Sequence, residues 1–290
     1  MTTSTIALSN SLQALALRQW RDYQSAMPGG AFADPELSLT PEEAYAVQME
    51  VARLRCAAGD AVAGYKIGCI GPGVVRQFGM SGPIHARLFR SEIHEPACTL
   101  RHAVYANLAI EGEMAVRIGD NGNIVAAFPV IELHHFVFRA PKKTLAELIA
   151  NNGINAGAVV PRNNEAMPLD HWRNAKILSV SINEATIDTG ALWAMPGGAT
   201  EALHWLRSDL ARFGETLKPG DLVLAGTPLG LHPVKPGDHV VVSIDGTPSP
   251  DWLTFGAAIE ADGTGRATLK GPGTPVVIDF SDRSKPKRTP

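Results

Sequence analysis

Cysteine is scarce and unpaired in this sequence: Cys56, Cys69 and Cys98 are the only three in 290 residues. An odd number without matched spacing excludes a disulfide framework, and no two of them stand at a zinc-ligand spacing. Charge of one sign is also lacking. Twenty-six Lys and Arg face 29 Asp and Glu, for a formal net charge of −3. That balance offers no basic patch, so no nucleic-acid partner is expected. No apolar run reaches membrane-spanning length, so no membrane partner is expected either. The opening MTTSTIALSNSLQALALRQW has no basic start and soon meets Arg18 and Arg21, unlike a secretory signal. These absences predict a cytoplasmic protein in a reducing compartment. Internal repeats are absent, and the one biased stretch is the polar tail SDRSKPKRTP, 281–290, expected to be disordered.

What is present describes a well-packed globular chain, 45% hydrophobic and 19% charged, long enough for one large domain or a domain with a smaller companion. Helices are expected over 5–26 and 41–58. The second carries the stronger signals: Thr40 at the N-cap, Pro41 at the first position, Glu42 and Glu43 in the first turn, and Gly59 past the end. From residue 61 the texture changes to short β-type runs punctuated by glycine. They are AVAGYKIG, ANLAIEGEMAVRIG, IVAAFPVIEL, AGAVVP, ILSVSINEATI, DLVLAGT and HVVVSIDG. Two further helices are expected at 142–151 and 198–214. Helices at one end followed by many short strands predict an α+β fold, with an N-terminal helical portion over 1–60 and a strand-rich domain over 61–280.

Within NLAIEGEMAV, Glu111 and Glu113 stand two residues apart, on one face of a strand. Like charges this close repel, and burying them is costly unless a cation lies between them. Glu132 ends the apolar run IVAAFPVIEL and adds a third carboxylate. Three carboxylates suit a hard cation, Mg²⁺ or Mn²⁺. The same spacing alone better describes a solvated strand face with Leu108, Ile110, Gly112 and Met114 turned inward. Lys66, in AGYKIGC, sits mid-strand in apolar company. It is either a buried lysine with a lowered pKa, able to act as acid or base, or one snorkelling from a sheet edge. The segment 224–246, LAGTPLGLHPVKPGDHVVVSIDG, reads as strand, turn-rich loop and strand; Thr227 and backbone N–H groups there would suit an anionic ligand, or the loop is an ordinary long hairpin.

In this order AGYKIG, E-x-E, PVIEL and AGTPLGLHPVKPGDHVVV resemble the fumarylacetoacetate hydrolase superfamily, and within it the 2-keto-4-pentenoate hydratase branch, from LSLTPEEAYAVQ through residue 246. The resemblance implies a mixed β-sandwich roll with an N-terminal helical portion. It implies a Mg²⁺ or Mn²⁺ site at Glu111, Glu113 and Glu132, and a catalytic lysine at Lys66. It places substrate contacts at Gly226, Thr227 and Asn152. The pattern is altered at two places. GMSGP carries Ser81 and Gly82, followed by His85, where the hydratases carry G-V-D-E-P. ANNGINAG keeps Asn152 but has Asn151 in place of an aspartate, and Ile154 and Asn155 where serines stand.

The implied activity is hydration of a 2-hydroxy-2,4-dienoate or its 2-keto-enoate tautomer in aromatic-compound breakdown, on a small 2-keto acid substrate. The alternatives are a C–C hydrolase of acylpyruvates, an oxaloacetate-type decarboxylase, or a non-catalytic scaffold that binds small acids. A homo-oligomer is expected, because short strands leave edges and apolar faces to cover. Of His134 and His135, adjacent on one strand, at most one can approach a cation beside Glu132. The plain expectation for the pair is one packed and one exposed.

Overall fold

The computed structural model describes residues 9–25, 32, 34, 36–71, 75–76, 78–80, 82–135, 144–161, 167–175, 177–245 and 255–260. Its helices are α1 (Asn10–Gln24), α2 (Pro41–Ala57), α3 (Leu145–Ala150) and α4 (Gly198–Arg212). Its strands, in chain order, are β1 (Val62–Gly68), β2 (Ile84–Phe89), β3 (Ile93–His94), β4 (Thr99–Arg101), β5 (Leu108–Ile118), β6 (Ile124–His135), β7 (Asn155–Val159), β8 (Ile177–Ile182), β9 (Ala185–Gly190), β10 (Leu222–Leu224), β11 (His232–Pro233), β12 (His239–Asp245) and β13 (Phe255–Glu260). Expected and observed helices agree to within a few residues. Thr40 closes a capping box at α2, its hydroxyl accepting from Glu43 N–H at 3.2 Å while the Glu43 carboxylate accepts from Thr40 N–H at 2.9 Å. Residues 142–143 of the third expected helix, and the 281–290 tail, lie outside the described residues.

The strands form two mixed sheets. One runs β2-β1-β10-β5-β6-β7-β3, with β11 added alongside β5, and the other runs β4-β13-β12-β8-β9. The spine is the long antiparallel pair β5–β6, in a register that sets Glu111 directly opposite Glu132. One face of this pair packs on the second sheet. Ile110, Met114, Ile131 and Leu133 share a core with Leu178, Val180 and Val242, a sheet-on-sheet burial that supplies hydrophobic stabilisation. Gly112 lies on this face, where a Cβ would stand 2.4 Å from Val180 Cγ2. Close sheet packing therefore explains the glycine between the two glutamates.

The other face lines the inside of a curl. Ala115, Phe128 and Val130 meet Leu88, Ala158, Leu222 and Leu224 there, and β2 comes round to lie against β7 and the 3-10 turn Asn152–Ile154. The result is a strand-rich roll with N-terminal helices, as expected. Two differences from the sequence reading have local causes. ILSVSINEATI is two strands, because Asn183 (φ 53°) and Glu184 (φ 68°) form a left-handed turn while the apolar alternation runs on through it. IHARLF is the unforeseen strand β2, every residue of which is buried despite its His85 and Arg87.

An edge strand such as β2 exposes unpaired backbone groups, and here side chains take them. Tyr45 of α2 accepts the His85 N–H at 3.1 Å. Gln48 donates to Ile149 C=O at 2.7 Å and to His85 C=O at 3.4 Å. Asn152 brackets Arg87, accepting its N–H and donating to its C=O, both at 2.8 Å. Asn152→Ala is expected to destabilise the fold by about 2–3 kcal/mol, since two backbone groups lose their partners and an asparagine suited to φ 53° is lost. Urea unfolding checks this, and an unchanged midpoint would show that solvent replaces the bracket freely.

His85 itself is fully buried on the far face of β2. Its ring stacks on Tyr45 with centroids 4.5 Å apart, and Nδ1 pairs with Asp209 Oδ2 of α4 at 2.7 Å. Burial lowers the imidazole pKa against the opposing pull of Asp209, and Arg87 adds to the lowering. The unfolded imidazole titrates near 6.5. Below that pH the unfolded chain takes up a proton that the folded ring refuses, so this contribution is complete above about 6.5 and falls as pH drops, by at most about 1.4 kcal/mol per pH unit. Asp209, whose pKa is lowered despite burial by its bonds to His85 and Arg212, acts only nearer pH 4. Between pH 7.5 and 5.5 the wild-type protein should lose more urea resistance than His85→Gln, and equal losses would refute the assignment.

Candidate metal centre

The inner face of β5–β6 carries the carboxylates. Residues 111, 113 and 115 alternate onto it from β5, and residues 128, 130, 132 and 134 onto it from β6. Lys66 reaches the same space from β1, two strands from β5, because the intervening β10 is only three residues long and ends at Leu224. Its Nζ stands 3.0 Å from Glu132 Oε1, and Asn155 Nδ2 donates to that same oxygen at 2.7 Å. Lys66, Glu113 and Glu132 are all almost fully buried, while the Glu111 side chain is 19% exposed at the rim.

After β10 the chain turns along β5. Gly226 N–H donates to Glu113 Oε1, Thr227 Oγ1 donates to Gly112 C=O at 2.7 Å, and Leu229 N–H donates back to Thr227 Oγ1 at 3.1 Å. Gly226 has φ +85°, and a Cβ there would stand 1.9 Å from Ile70 Cδ1. Only glycine fits this close approach. The turn thus fixes Gly226 and Thr227 beside the carboxylates. Asn152 differs in placement, because its side-chain amide is engaged by the Arg87 backbone at the mouth of the curl.

The charges settle one another. Burial and the neighbouring Glu132 raise the Glu113 pKa well above the ordinary carboxylate value. Burial also works against the Glu132 charge, but the Lys66 ammonium, His134 and Asn155 hold its carboxyl below the ordinary value. The expectation for Lys66 is overturned. Burial pulls its pKa down, yet Glu132, Glu111 and Glu113 together raise it above the free-lysine value, so Lys66 stands here as an ammonium.

The histidines also depart from expectation. Both His134 and His135 are buried, at 2% and 3% exposure. Both faces of β6 are covered, so alternation does not sort a packed residue from an exposed one. His134 Nε2 stands 3.1 Å from Glu111 Oε2 and 3.6 Å from Glu132 Oε2. His135 instead accepts the Ala106 N–H at Nδ1 and meets Tyr23 and Tyr105 edge-on. The sequence left open which of His134 and His135 approaches a cation, and assigned Asn155 no role. The signal for His134 was the spacing E-x-H in β6, which repeats E-x-E in the facing strand.

These residues fit a divalent cation. One atom each from Glu111, Glu132 and His134 lie within 4.8 Å of one another. Glu132 Oε2 is buried without a hydrogen-bond partner among the described residues. A buried, unpartnered carboxylate oxygen facing two other ligand-type atoms is an arrangement that a cation satisfies.

A family model, the fumarylacetoacetate hydrolase C-terminal domain, matches residues 142–261. The chain is 26% identical over 243 residues to a 2-hydroxyhexa-2,4-dienoate hydratase from Comamonas testosteroni, covering 79% of this chain and 92% of that one. It is 26% identical over 239 residues to a 4-oxalocrotonate decarboxylase from a Pseudomonas species, covering 77% and 92%. Its fold superposes with a TM-score of 0.76 on a 4-oxalocrotonate decarboxylase from Pseudomonas putida G7 complexed with magnesium and adipate, at 20% identity over 86% of this chain and 97% of that one. Over residues 142–261 the chain thus matches the fumarylacetoacetate hydrolase family, and over most of its length it is similar to hydratases and a decarboxylase. The segment matching the superfamily model contains Asn152, Asn155, Gly226 and Thr227, whereas Lys66 and the carboxylates precede it. No helix among the described residues is long and apolar enough to cross a membrane.

Proposed function

We propose that this protein is a metal-dependent hydratase that adds water to a 2-hydroxy-2,4-dienoate, or its 2-keto-enoate tautomer, in aromatic-compound catabolism. The observation that carries the reading is a buried ammonium, Lys66, ion-paired inside a cluster of acidic side chains on the inner face of the roll. Glu111, Glu113 and Glu132 are the residues that would hold Mg²⁺ or Mn²⁺. A cation there supplies Lewis-acid stabilisation of the negative charge that develops on a 2-oxo acid as a proton moves. Lys66 carries the proton at Nζ and delivers it to the substrate. Asn155 and Lys66 together fix the Glu132 carboxylate. Glu113 ties down the Gly226 turn, and the Thr227 hydroxyl bonded to Gly112 C=O holds that turn against β5. Ala115, Phe128, Val130 and Leu224 pack into an apolar cluster on the same inner face, beside the carboxylates.

Names of relatives support a hydratase, including 2-keto-4-pentenoate hydratases from Paraburkholderia xenovorans and other bacteria at 24–27% identity. The decarboxylase relative at equal identity keeps decarboxylation as the second reading, since the same site stabilises the same kind of charge in both reactions. Purified protein with Mg²⁺ or Mn²⁺, assayed against a 2-hydroxydienoate, an acylpyruvate, 4-oxalocrotonate and oxaloacetate, tests the proposal. Turnover of the dienoate alone is the expected result. CO₂ release without hydration would replace it by the second reading, and inertness toward all four would favour a binding scaffold. The same reading includes a cytoplasmic homo-oligomer, and sedimentation as the monomer alone would remove the oligomer from it.

A further inference from the structure

We infer that His134 is itself a metal ligand, so that the centre takes a mixed imidazole and carboxylate donor set and selects Mn²⁺ or Zn²⁺ over Mg²⁺. This rests on the metal-dependent reading above and adds a ligand that the superfamily resemblance does not supply. The geometry is that of donors around one ion. Nε2 lies 3.1 Å from Glu111 Oε2 and 3.6 Å from Glu132 Oε2. Two donors on adjacent corners of a first-row cation are about 2.8–3.1 Å apart in an octahedron and about 3.3–3.6 Å in a tetrahedron, given metal–ligand bonds near 2.0–2.2 Å.

A purely structural role, with Nε2–H donating to Glu111, accounts for only part of this. Glu132 Oε1 is fully engaged by Lys66 and Asn155, yet its Oε2 is buried, unpartnered among the described residues and turned toward His134. His134 Nδ1 is likewise buried without a partner among the described residues, so no hydrogen bond on that side accounts for the ring's placement. Meanwhile Glu113 is turned to the Gly226 N–H and to Glu132. The ligand atoms that face one another are therefore two oxygens and one nitrogen. When Nε2 ligates, the neutral ring carries its proton on Nδ1 and no net charge is added to the site. Imidazole nitrogen strengthens binding along the series from Mn²⁺ toward Zn²⁺ and does little for Mg²⁺, which favours oxygen.

Pulsed electron paramagnetic resonance of the Mn²⁺-loaded wild-type protein tests this directly. Directly bound imidazole nitrogen should modulate the echo at ¹⁴N frequencies, and histidine-specific ¹⁵N labelling should shift them without any substitution. His134→Gln should abolish the modulation, while His135→Gln should keep it. Equilibrium dialysis should show His134→Gln weakening Mn²⁺ or Zn²⁺ by about 10–100-fold and Mg²⁺ by less than about threefold. Mn²⁺ bound without histidine nitrogen coupling would overturn the inference and leave the metal-dependent reading standing. No binding of Mn²⁺ or Mg²⁺ at all would overturn both. If His134→Gln fails to fold, the labelling experiment on the wild-type protein decides alone.

Discussion

Lys66→Met is expected to lower kcat by about 10²–10⁴-fold, the usual range for loss of a general acid–base, while divalent-cation binding survives. Methionine has nearly the length of lysine and fills the space beside Ala86 and Gly153 without charge. What it removes is the ammonium that stands 3.0 Å from Glu132. Breaking a buried ion pair leaves its partner uncompensated, at a cost of about 3–5 kcal/mol. Added Mn²⁺ should therefore raise the melting temperature of Lys66→Met more than that of the wild type, because the ion supplies the positive charge the variant lacks. Calorimetry with and without Mn²⁺, alongside single-turnover kinetics, separates the two effects. A variant that keeps a third or more of wild-type kcat would show that Lys66 does not carry the proton. Loss of Mn²⁺ binding together with activity would assign Lys66 to holding the carboxylates instead.

How far the chain could be read in advance depended on which interactions are local. The alternation in ANLAIEGEMAVRIG and IVAAFPVIEL identified β5 and β6, and the caps around Thr40 identified α2, because both signals lie within a few residues. β2 was not legible. His85 and Arg87 make IHARLF look surface-like, and tertiary partners, Asp209 for His85 and Glu215, Gln48 and Asn152 for Arg87, make their burial tolerable. The same limit hid the state of Lys66. A buried lysine in isolation loses pKa, and the sign reversed because carboxylates from two other strands reach it. E-x-E by spacing alone fitted a solvated face better, and the family resemblance turned the reading toward a metal site. His134 needed the β5–β6 register, with Glu111 opposite Glu132, before its neighbours were defined.

Glu113→Gln provides the sharpest separation between folding and chemistry. In the protein without cation, burial and Glu132 push the Glu113 pKa up and so favour its protonated form, and its Oε1 accepts the Gly226 N–H. A glutamine amide reproduces that state: its oxygen accepts from Gly226 and its NH₂ donates to Glu132. The melting temperature without metal should therefore stay within about 4 °C of wild type, a change of less than about 1 kcal/mol for a chain of this size. Cation binding asks for the ionised form, which the amide cannot supply, so affinity for Mg²⁺ or Mn²⁺ should fall by about 10²-fold or more and turnover should drop below detection. Glu111→Gln at the half-open rim should lose metal and activity to the same degree, again with little change in melting temperature, because removing one of several facing carboxylates also relieves repulsion. Isothermal titration with each ion and thermal melts of the metal-free variants give both readouts on the same preparations. If Glu113→Gln binds Mn²⁺ as the wild type does while Glu111→Gln does not, Glu113 is a structural anchor for the Gly226 turn and the cation is held by Glu111, Glu132 and His134 without it.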